Sequence, residues 1–277
     1  VDLGGGPNTK PCRPGGPGLT LASSPILEIR EAVKSFGAMR AVDGASFAVA
    51  PGSITGLIGP NGAGKTTLFG AIAGENPLTS GSVVFDGHDI TTRDAFDIYR
   101  LKLARTFQIP RPFPKMTVLE NVMVAALGQA GEKFWNTWLR PGRVKRQETE
   151  IRERAHEVIR FCNLVHVEDN LAGAVSGGQK KLLELARVLM SEPKMILLDE
   201  LAAGVNPALL DTLVEKIVEI NRRGTTFLII EHNMDMVMSL CETIVVLAQG
   251  RVIANGTPDA VAAEPAVLDA YLGEVAA

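Results

Sequence analysis

Ile54-Thr55-Gly56-Leu57-Ile58-Gly59-Pro60-Asn61-Gly62-Ala63-Gly64-Lys65-Thr66-Thr67 is a short apolar run that enters a glycine-rich loop and leaves it on a helical pattern reaching Ala73. The last nine residues fit G-x-x-x-x-G-K-[ST] in the context that pattern requires, with a strand before it and a helix after it. Glycines allow backbone N–H groups to turn inward toward phosphate oxygens, and the helix start adds the positive end of its dipole. Lys65 is expected to reach the β- and γ-phosphates of a nucleoside triphosphate and Thr66 to ligate Mg²⁺, with Gly59, Pro60, Asn61, Gly62, Ala63, Gly64 and Thr67 completing the cradle. Kinases, GTPases and transport ATPases share such a loop. No guanine-reading N-K-x-D follows, which removes the GTPases, and residues further along decide between the rest.

Outward from the loop the pattern is α/β. Leu27, Ile29 and Ala32-Val33 suggest one strand, and Ala45 to Val49 suggests another, stopped by Pro51-Gly52. Ser82 to Phe85 returns to β before a turn at Asp86-Gly87. Helical periodicity dominates from about Ala95 to Val188, interrupted by Pro110, Pro112, Pro114 and Pro141-Gly142. Met195 to Leu198 and Thr226 to Ile230 are continuous apolar runs, as in strands buried on both faces of a parallel sheet. A hairpin from Thr243 to Ala254 turns at Gln249-Gly250, and two short helices follow from Asp259 and Ala266. There is no internal repeat. Residues 1–25, rich in Gly and Pro, are expected to form a flexible tail on one domain over 26–277, into which a helical block at about 95–188 is inserted.

With 46% hydrophobic and 21% charged residues, the 277-residue chain can bury a sizeable core. A net charge of -3 and a pI near 5.9 give no sign of bulk-charge binding to nucleic acid. No apolar run approaches the ~20 residues that span a bilayer, so membrane work would require partner chains. Cys12, Cys162 and Cys241 lack C-x-x-C spacing and are expected to be free thiols in a reducing compartment. The first residues do not read as a signal peptide.

Two further motifs carry chemistry. Met195-Ile196-Leu197-Leu198-Asp199-Glu200 ends an apolar strand in two acids, a placement that needs a reason because buried charge is costly. Asp199 is expected to bind Mg²⁺ and Glu200 to polarise an attacking water as general base. Ser176-Gly177-Gly178-Gln179 precedes the helical pattern Leu182, Leu183, Leu185, Ala186, Val188, Leu189, with Ser176 as its cap. That makes a second phosphate-binding helix start. It fits an arrangement in which two chains face each other and each offers this helix end to the other's nucleotide.

From about Leu27 to Gly256 these motifs, in this order, resemble the ATP-binding cassette (ABC) ATPases. The resemblance implies a P-loop NTPase (RecA-like) α/β core with an N-terminal antiparallel β subdomain and an inserted α-helical subdomain. It also implies residue roles. Gln108 in Arg105-Thr106-Phe107-Gln108 looks like the family's glutamine that contacts Mg²⁺ and water and senses the membrane partner. Gly204-Val205-Asn206-Pro207 looks like the D-loop, His232 in Ile230-Glu231-His232-Asn233 like the switch histidine at the γ-phosphate, and Phe36 like the aromatic that stacks on adenine. Read from the residues alone, core packing is the alternative for Phe36, a single aromatic near a strand. Leu201 stands where the family usually has Pro, and Val175 where Leu is usual; neither removes a ligand, so an active ATP hydrolase is expected.

Phe113-Pro114-Lys115-Met116-Thr117-Val118-Leu119-Glu120-Asn121-Val122, Ala202-Ala203-Gly204-Val205-Asn206-Pro207 and the ending Ala254 to Glu274 resemble the larger ATPase subunit of bacterial branched-chain amino acid importers, a group that includes amide and urea importers. This implies a sister or identical ATPase chain, two permeases, a periplasmic binding protein and work at the cytoplasmic face of the membrane. The alternatives are a lipopolysaccharide-exporter ATPase and a soluble cassette protein, the latter usually marked by a second cassette or a coiled-coil insertion, neither present here. The block Gly128 to Arg154, with Trp135, Trp138, Arg140, Arg143, Lys145 and Arg146, reads as a solvated helical loop with half-buried tryptophans, its sharper reading being a permease or headgroup contact.

Overall fold

A computed structural model describes residues 24–106, 111–129 and 141–275. Among them, ten strands form two sheets. β1 (Leu27–Phe36) and β2 (Met39–Val49) make a hairpin that opposes Leu27 to Val49 and Phe36 to Met39. β3 (Ile54–Ile58) leads through the glycine loop into α1 (Lys65–Ile72), and β4 (Ser80–Phe85) then pairs with β1 and with the short β5 (His88–Asp89). The resulting antiparallel sheet runs β2-β1-β4-β5.

The larger sheet takes its strands from across the chain. After α2 (Ala95–Arg100) comes β6 (Leu103–Arg105), a three-residue strand inside the span that reads as helical in sequence. Its residues pair in parallel with β7 (Met195–Asp199), Leu103 opposite Met195, and that tertiary pairing decides a segment too short to show a period of its own. Between β6 and β7 lie α3 (Val118–Met123), α4 (Pro141–Phe161) and α5 (Gly177–Leu189). α6 (Pro207–Arg222), β8 (Thr226–Ile230), α7 (Met234–Leu240), β9 (Thr243–Ala248), β10 (Arg251–Gly256), α8 (Pro258–Ala262) and α9 (Pro265–Val275) complete the chain. The order β10-β9-β3-β8-β7-β6 is parallel except at β9-β10. This is the mixed α/β architecture with an antiparallel β subdomain that the sequence implies.

The unbroken apolar runs divide between two cores. Met195, Leu197, Leu228 and Ile230 face one side of the large sheet and pack with Leu68, Phe69 and Ile72 of α1 and with Leu27, Ile29 and Phe85 of the small sheet. Ile196, Leu198, Phe227 and Ile229 face the other side, against Ile159 and Cys162, Leu182, Leu183 and Ala186 of α5, and Leu213 and Ile217 of α6. Each such side chain withdrawn from water contributes roughly 1.5–3 kcal/mol, so a strand with both faces covered is held on two sides.

Polar side chains cap two of these helices. Thr117 and Glu120 form a reciprocal capping box at α3, and Asn206 caps α6 with Pro207 in its first turn. Arg143, Lys145 and Arg146 on α4 are exposed, as a solvated helix requires, whereas Trp135, Trp138 and Arg140 lie outside the described residues.

Candidate active site

The order β3-β8-β7 puts the ends of three parallel strands side by side. Ile230 of β8 stands opposite both Leu57 of β3 and Asp199 of β7, so the three chains leave the sheet at one level. Beyond that level lie Gly59, Glu231-His232 and Glu200. Strands ~4.8 Å apart spread these loops over about 10 Å.

The glycine loop is built for its glycines. Gly59 has φ 148° and Gly64 φ 100°; a Cβ at Gly59 would meet the Leu247 carbonyl oxygen at 1.9 Å, and one at Gly64 the Ala41 carbonyl oxygen at 2.1 Å. The loop is buttressed from behind. Gly250 N–H donates to Ala63 O at 3.0 Å, and Asp43 N–H donates to Gly250 O at 2.9 Å, which links the loop to the β9-β10 turn and to β2. Lys65 is 6% exposed and curls over the loop, donating to Gly59 O at 2.7 Å and Pro60 O at 2.9 Å. Thr66, next along at the start of α1, is exposed, and Thr67 is partly so.

Asp199 is 6% exposed at the end of β7. Its Oδ2 accepts a 2.7 Å hydrogen bond from Arg105 Nη2, and Arg105 Nη1 reaches Glu75 Oε2 at 2.7 Å. Arg105 is thus a member of the site that its place in Arg105-Thr106-Phe107-Gln108 did not mark; an arginine ending a buried strand is the signal that could have found it. Glu200 follows in the left-handed region, φ 50°, at a cost of about 1–2 kcal/mol. Its N–H donates to Ile230 O at 2.9 Å, and its Oε1 lies 3.1 Å from His232 Nε2. The pair expected from separate motifs is therefore in direct contact.

Ser176 caps α5: its Oγ accepts from Gln179 N–H at 3.2 Å while Gln179 Oε1 accepts from Ser176 N–H at 2.8 Å. Ser176 and Gly177 are exposed. A Cβ at Gly177 would meet nothing, but one at Gly178 would come within 2.1 Å of Leu209 Cδ2, so Gly178 lets α5 lie against α6. Phe36 is 49% exposed at the tip of the β1-β2 hairpin, with Lys34 Nζ 5.0 Å from its ring centroid; it is not a core residue. Met39, opposite it, is 64% exposed. Gln108 lies outside the described residues.

A strand, glycine loop and helix around Lys65, beside an acidic strand end, define a P-loop nucleotide-binding protein. The model of the ABC transporter family matches residues 42–203, and a model described as the branched-chain amino acid ATP-binding cassette transporter matches residues 251–277. A "probable branched-chain amino acid transport ATP-binding protein" of Archaeoglobus fulgidus is 42% identical over 90% of this chain and 95% of its own length. The high-affinity branched-chain amino acid transport ATP-binding protein of Escherichia coli K12 is 36% identical over 91% of this chain and 99% of its own. The structure of a nucleotide-free ATP-binding cassette from an ABC transporter superposes with a TM-score of 0.77 at 38% identity, covering 89% of this chain and 98% of that one. The ADP conformation of the cassette MJ1267 gives 0.76 at 37%, covering 91% and 100%. The chain belongs to the ABC transporter family, as a nucleotide-binding cassette that hydrolyses ATP to drive transport.

Proposed function

We propose that this chain is one of two ATPase subunits of an importer for branched-chain amino acids or closely related amides, working on the cytoplasmic face of the cell membrane beneath two permeases fed by a periplasmic binding protein. The observation that carries the cargo class is the match of the C-terminal residues 251–277 to the branched-chain amino acid cassette model. No described helix is long and apolar enough to cross a membrane, so the translocation path belongs to other chains.

In this reading two cassettes close over two ATP molecules, each held between Gly59 to Thr67 of one chain and Ser176 to Gln179 of the other. Phe36 stacks on adenine. Lys65 exchanges its contacts with the loop carbonyls for the β- and γ-phosphates. The exposed start of α5 brings its dipole and the Ser176 hydroxyl toward the γ-phosphate. Glu200 draws a proton from the attacking water in line with the breaking bond. His232, 3.1 Å from Glu200, holds the carboxylate's direction and helps stabilise charge spreading over the phosphoryl oxygens.

A hydroxyl at Thr66, the Asp199 carboxylate and the Gln108 side chain are oxygen donors, which suits the hard ion Mg²⁺. Among the described residues no cluster of three His, Cys, Asp or Glu could hold a metal, in keeping with an ion that draws most of its ligands from water and phosphate. When bound, Mg²⁺ neutralises phosphate charge. Between the core and the helical block an open groove of about 510 Å³ is lined by residues that include Tyr99, Arg105, Val124, Ala125, Leu127 and Arg187. It is the seat this reading assigns to a cytoplasmic helix of a permease.

Purification of the tagged chain from native membranes, followed by mass spectrometry, tests the assignment. Two polytopic permeases, a second cassette and an amino-acid or amide binding protein are expected. Exporter components, or ribosomes without membrane proteins, would overturn the importer reading while leaving the ATPase.

A further inference from the structure

The residue before His232 is a buried acid that the reaction as described does not use. Glu231 is 3% exposed, at the end of β8. Its Oε1 accepts from Ala202 N–H at 2.7 Å, and its Oε2 accepts from His232 N–H at 3.0 Å and Asn233 N–H at 3.4 Å. A carboxylate that gathers backbone N–H groups from two loops holds those loops at a set separation. One loop carries His232; the other is the turn that starts at Glu200.

The same turn is held from the opposite direction. Lys181 of α5 donates to Leu201 O at 2.6 Å and Ala203 O at 2.7 Å, and reaches Glu200 O at 3.4 Å. Burial pulls the Lys181 ammonium below the ordinary lysine range, and the charges of Glu231, Glu184 and Glu200 oppose that shift. The turn contains one left-handed non-glycine residue, Glu200, followed by Leu201, whose φ no ring restrains. Within the turn, the hydrogen bonds Ala203 N–H to Glu200 O at 3.3 Å and Val205 N–H to Ala202 O at 3.2 Å are long. Its shape therefore depends on groups outside it: Lys181 at the carbonyls and Glu231 at the amide.

We propose that Glu231 and Lys181 are positioning residues that frame the turn after Glu200 and so fix the direction of the Glu200 carboxylate toward His232. The frame spans three elements: α5, which starts at Gly177 and is capped by Ser176, the turn from Glu200, and the end of β8. Because Lys181 sits five residues after Ser176, which caps the same helix, a displacement of the α5 start is passed to the carbonyls of Leu201 and Ala203. The inference rests on the reading of Glu200 as general base.

Single-turnover ATP hydrolysis by the full-length chain, with enzyme in excess, is measured beside the dissociation constant of a fluorescent ATP analogue for Glu231→Gln, Lys181→Met, Lys181→Arg and Glu200→Gln. Glu231→Gln keeps the shape but turns one acceptor into an NH₂ group. Lys181→Met keeps the stem and removes the donors at a half-buried site, and Lys181→Arg keeps the charge there. Glu231→Gln and Lys181→Met are expected to hydrolyse about 10- to 100-fold more slowly with nucleotide affinity within about twofold, the scale of a misdirected reacting group, while Lys181→Arg retains most of the rate. If Glu200→Gln is slow but Lys181→Met and Glu231→Gln hydrolyse at the parent rate, the frame is refuted. It is equally refuted if they lose affinity and rate in parallel, or if Lys181→Arg is as slow as Lys181→Met. If Glu200→Gln itself keeps the parent rate, the assignment of the base fails instead.

Discussion

Replacing Arg105 with methionine tests the electrostatics beneath the site. The guanidinium is 10% exposed and bonds at 2.7 Å to Asp199, which is 6% exposed, and at 2.7 Å to Glu75, which is 36% exposed. The Glu75 arm faces water and is worth no more than about 1 kcal/mol. The Asp199 arm differs, because methionine leaves a buried carboxylate uncompensated, a change that costs about 3–5 kcal/mol. Against this, Arg105 Nε is itself buried without a hydrogen-bond partner among the described residues, and its removal returns about 1 kcal/mol. The methionine stem can still cover Phe69, whose ring centroid lies 5.9 Å from the guanidinium carbon. The expected net loss is about 3 kcal/mol. At ~2.1 cal/mol/K per residue, the unfolding entropy of a chain this long puts that near 5 °C in the midpoint of thermal unfolding. Circular dichroism without nucleotide reads the shift. Arg105→Met combined with Asp199→Asn removes both charges and should recover more than half of the loss. A shift below about 1 °C for the single variant, or a double variant less stable than the single, would refute the reasoning.

Three other expectations stand on separate observations. Glu200→Gln should bind ATP as the parent does and hydrolyse it about 10²-fold or more slowly, checked by phosphate release against nucleotide titration. Gly64→Ala, whose new Cβ would fall 2.1 Å from the Ala41 carbonyl oxygen at φ 100°, should weaken nucleotide binding at least ~10-fold, whereas Gly224→Ala, at the same φ but in open space, should cost about 1 kcal/mol of stability and leave binding intact. Burial pushes the thiols of Cys162 and Cys241 up to about 12, so both stay protonated and unreactive at pH 8. In a chain carrying Cys12→Ser, a disulfide reagent should find no fast thiol until denaturant is added, and a fast native reaction would contradict the packing around them.

The parts of the fold read most directly from sequence are the strands that carry function. Ile54–Ile58 and Thr226–Ile230 have the bounds their apolar runs suggest, because burial on both faces writes an uninterrupted signal. The first half of β2, Met39 to Gly44, escaped notice: its polar and small residues do not alternate, and pairing with β1 makes it a strand. Lys65, Asp199 and Glu200 stood out because they sit at a glycine turn or at the end of an apolar strand, whereas His232 was singled out through the family resemblance. Glu231 follows the same run as His232 but was read only as its neighbour, and Lys181 looks like any surface lysine on an amphipathic helix. Arg105, Glu75 and Asp199 are far apart in sequence, and their meeting is a product of the sheet order. The expectation for Gln108 concerns a position outside the described residues.

The division of β7 and β8 between two apolar cores has a consequence for how the chain finds its fold. A strand with one wet face is kept in register by alternation, since a one-residue slip would turn its apolar set to solvent. Met195–Asp199 and Thr226–Ile230 lack that safeguard, because either face of either strand meets hydrocarbon. What they have instead is a polar stop. Sliding β7 inward would drag the Asp199 and Glu200 carboxylates between the layers, and sliding β8 would drag Glu231, each at a cost of several kcal/mol. The acids at these strand ends thus act as punctuation for the sheet, marking where each central strand must end. A chain stripped of these charges loses part of the instruction that aligns its own core.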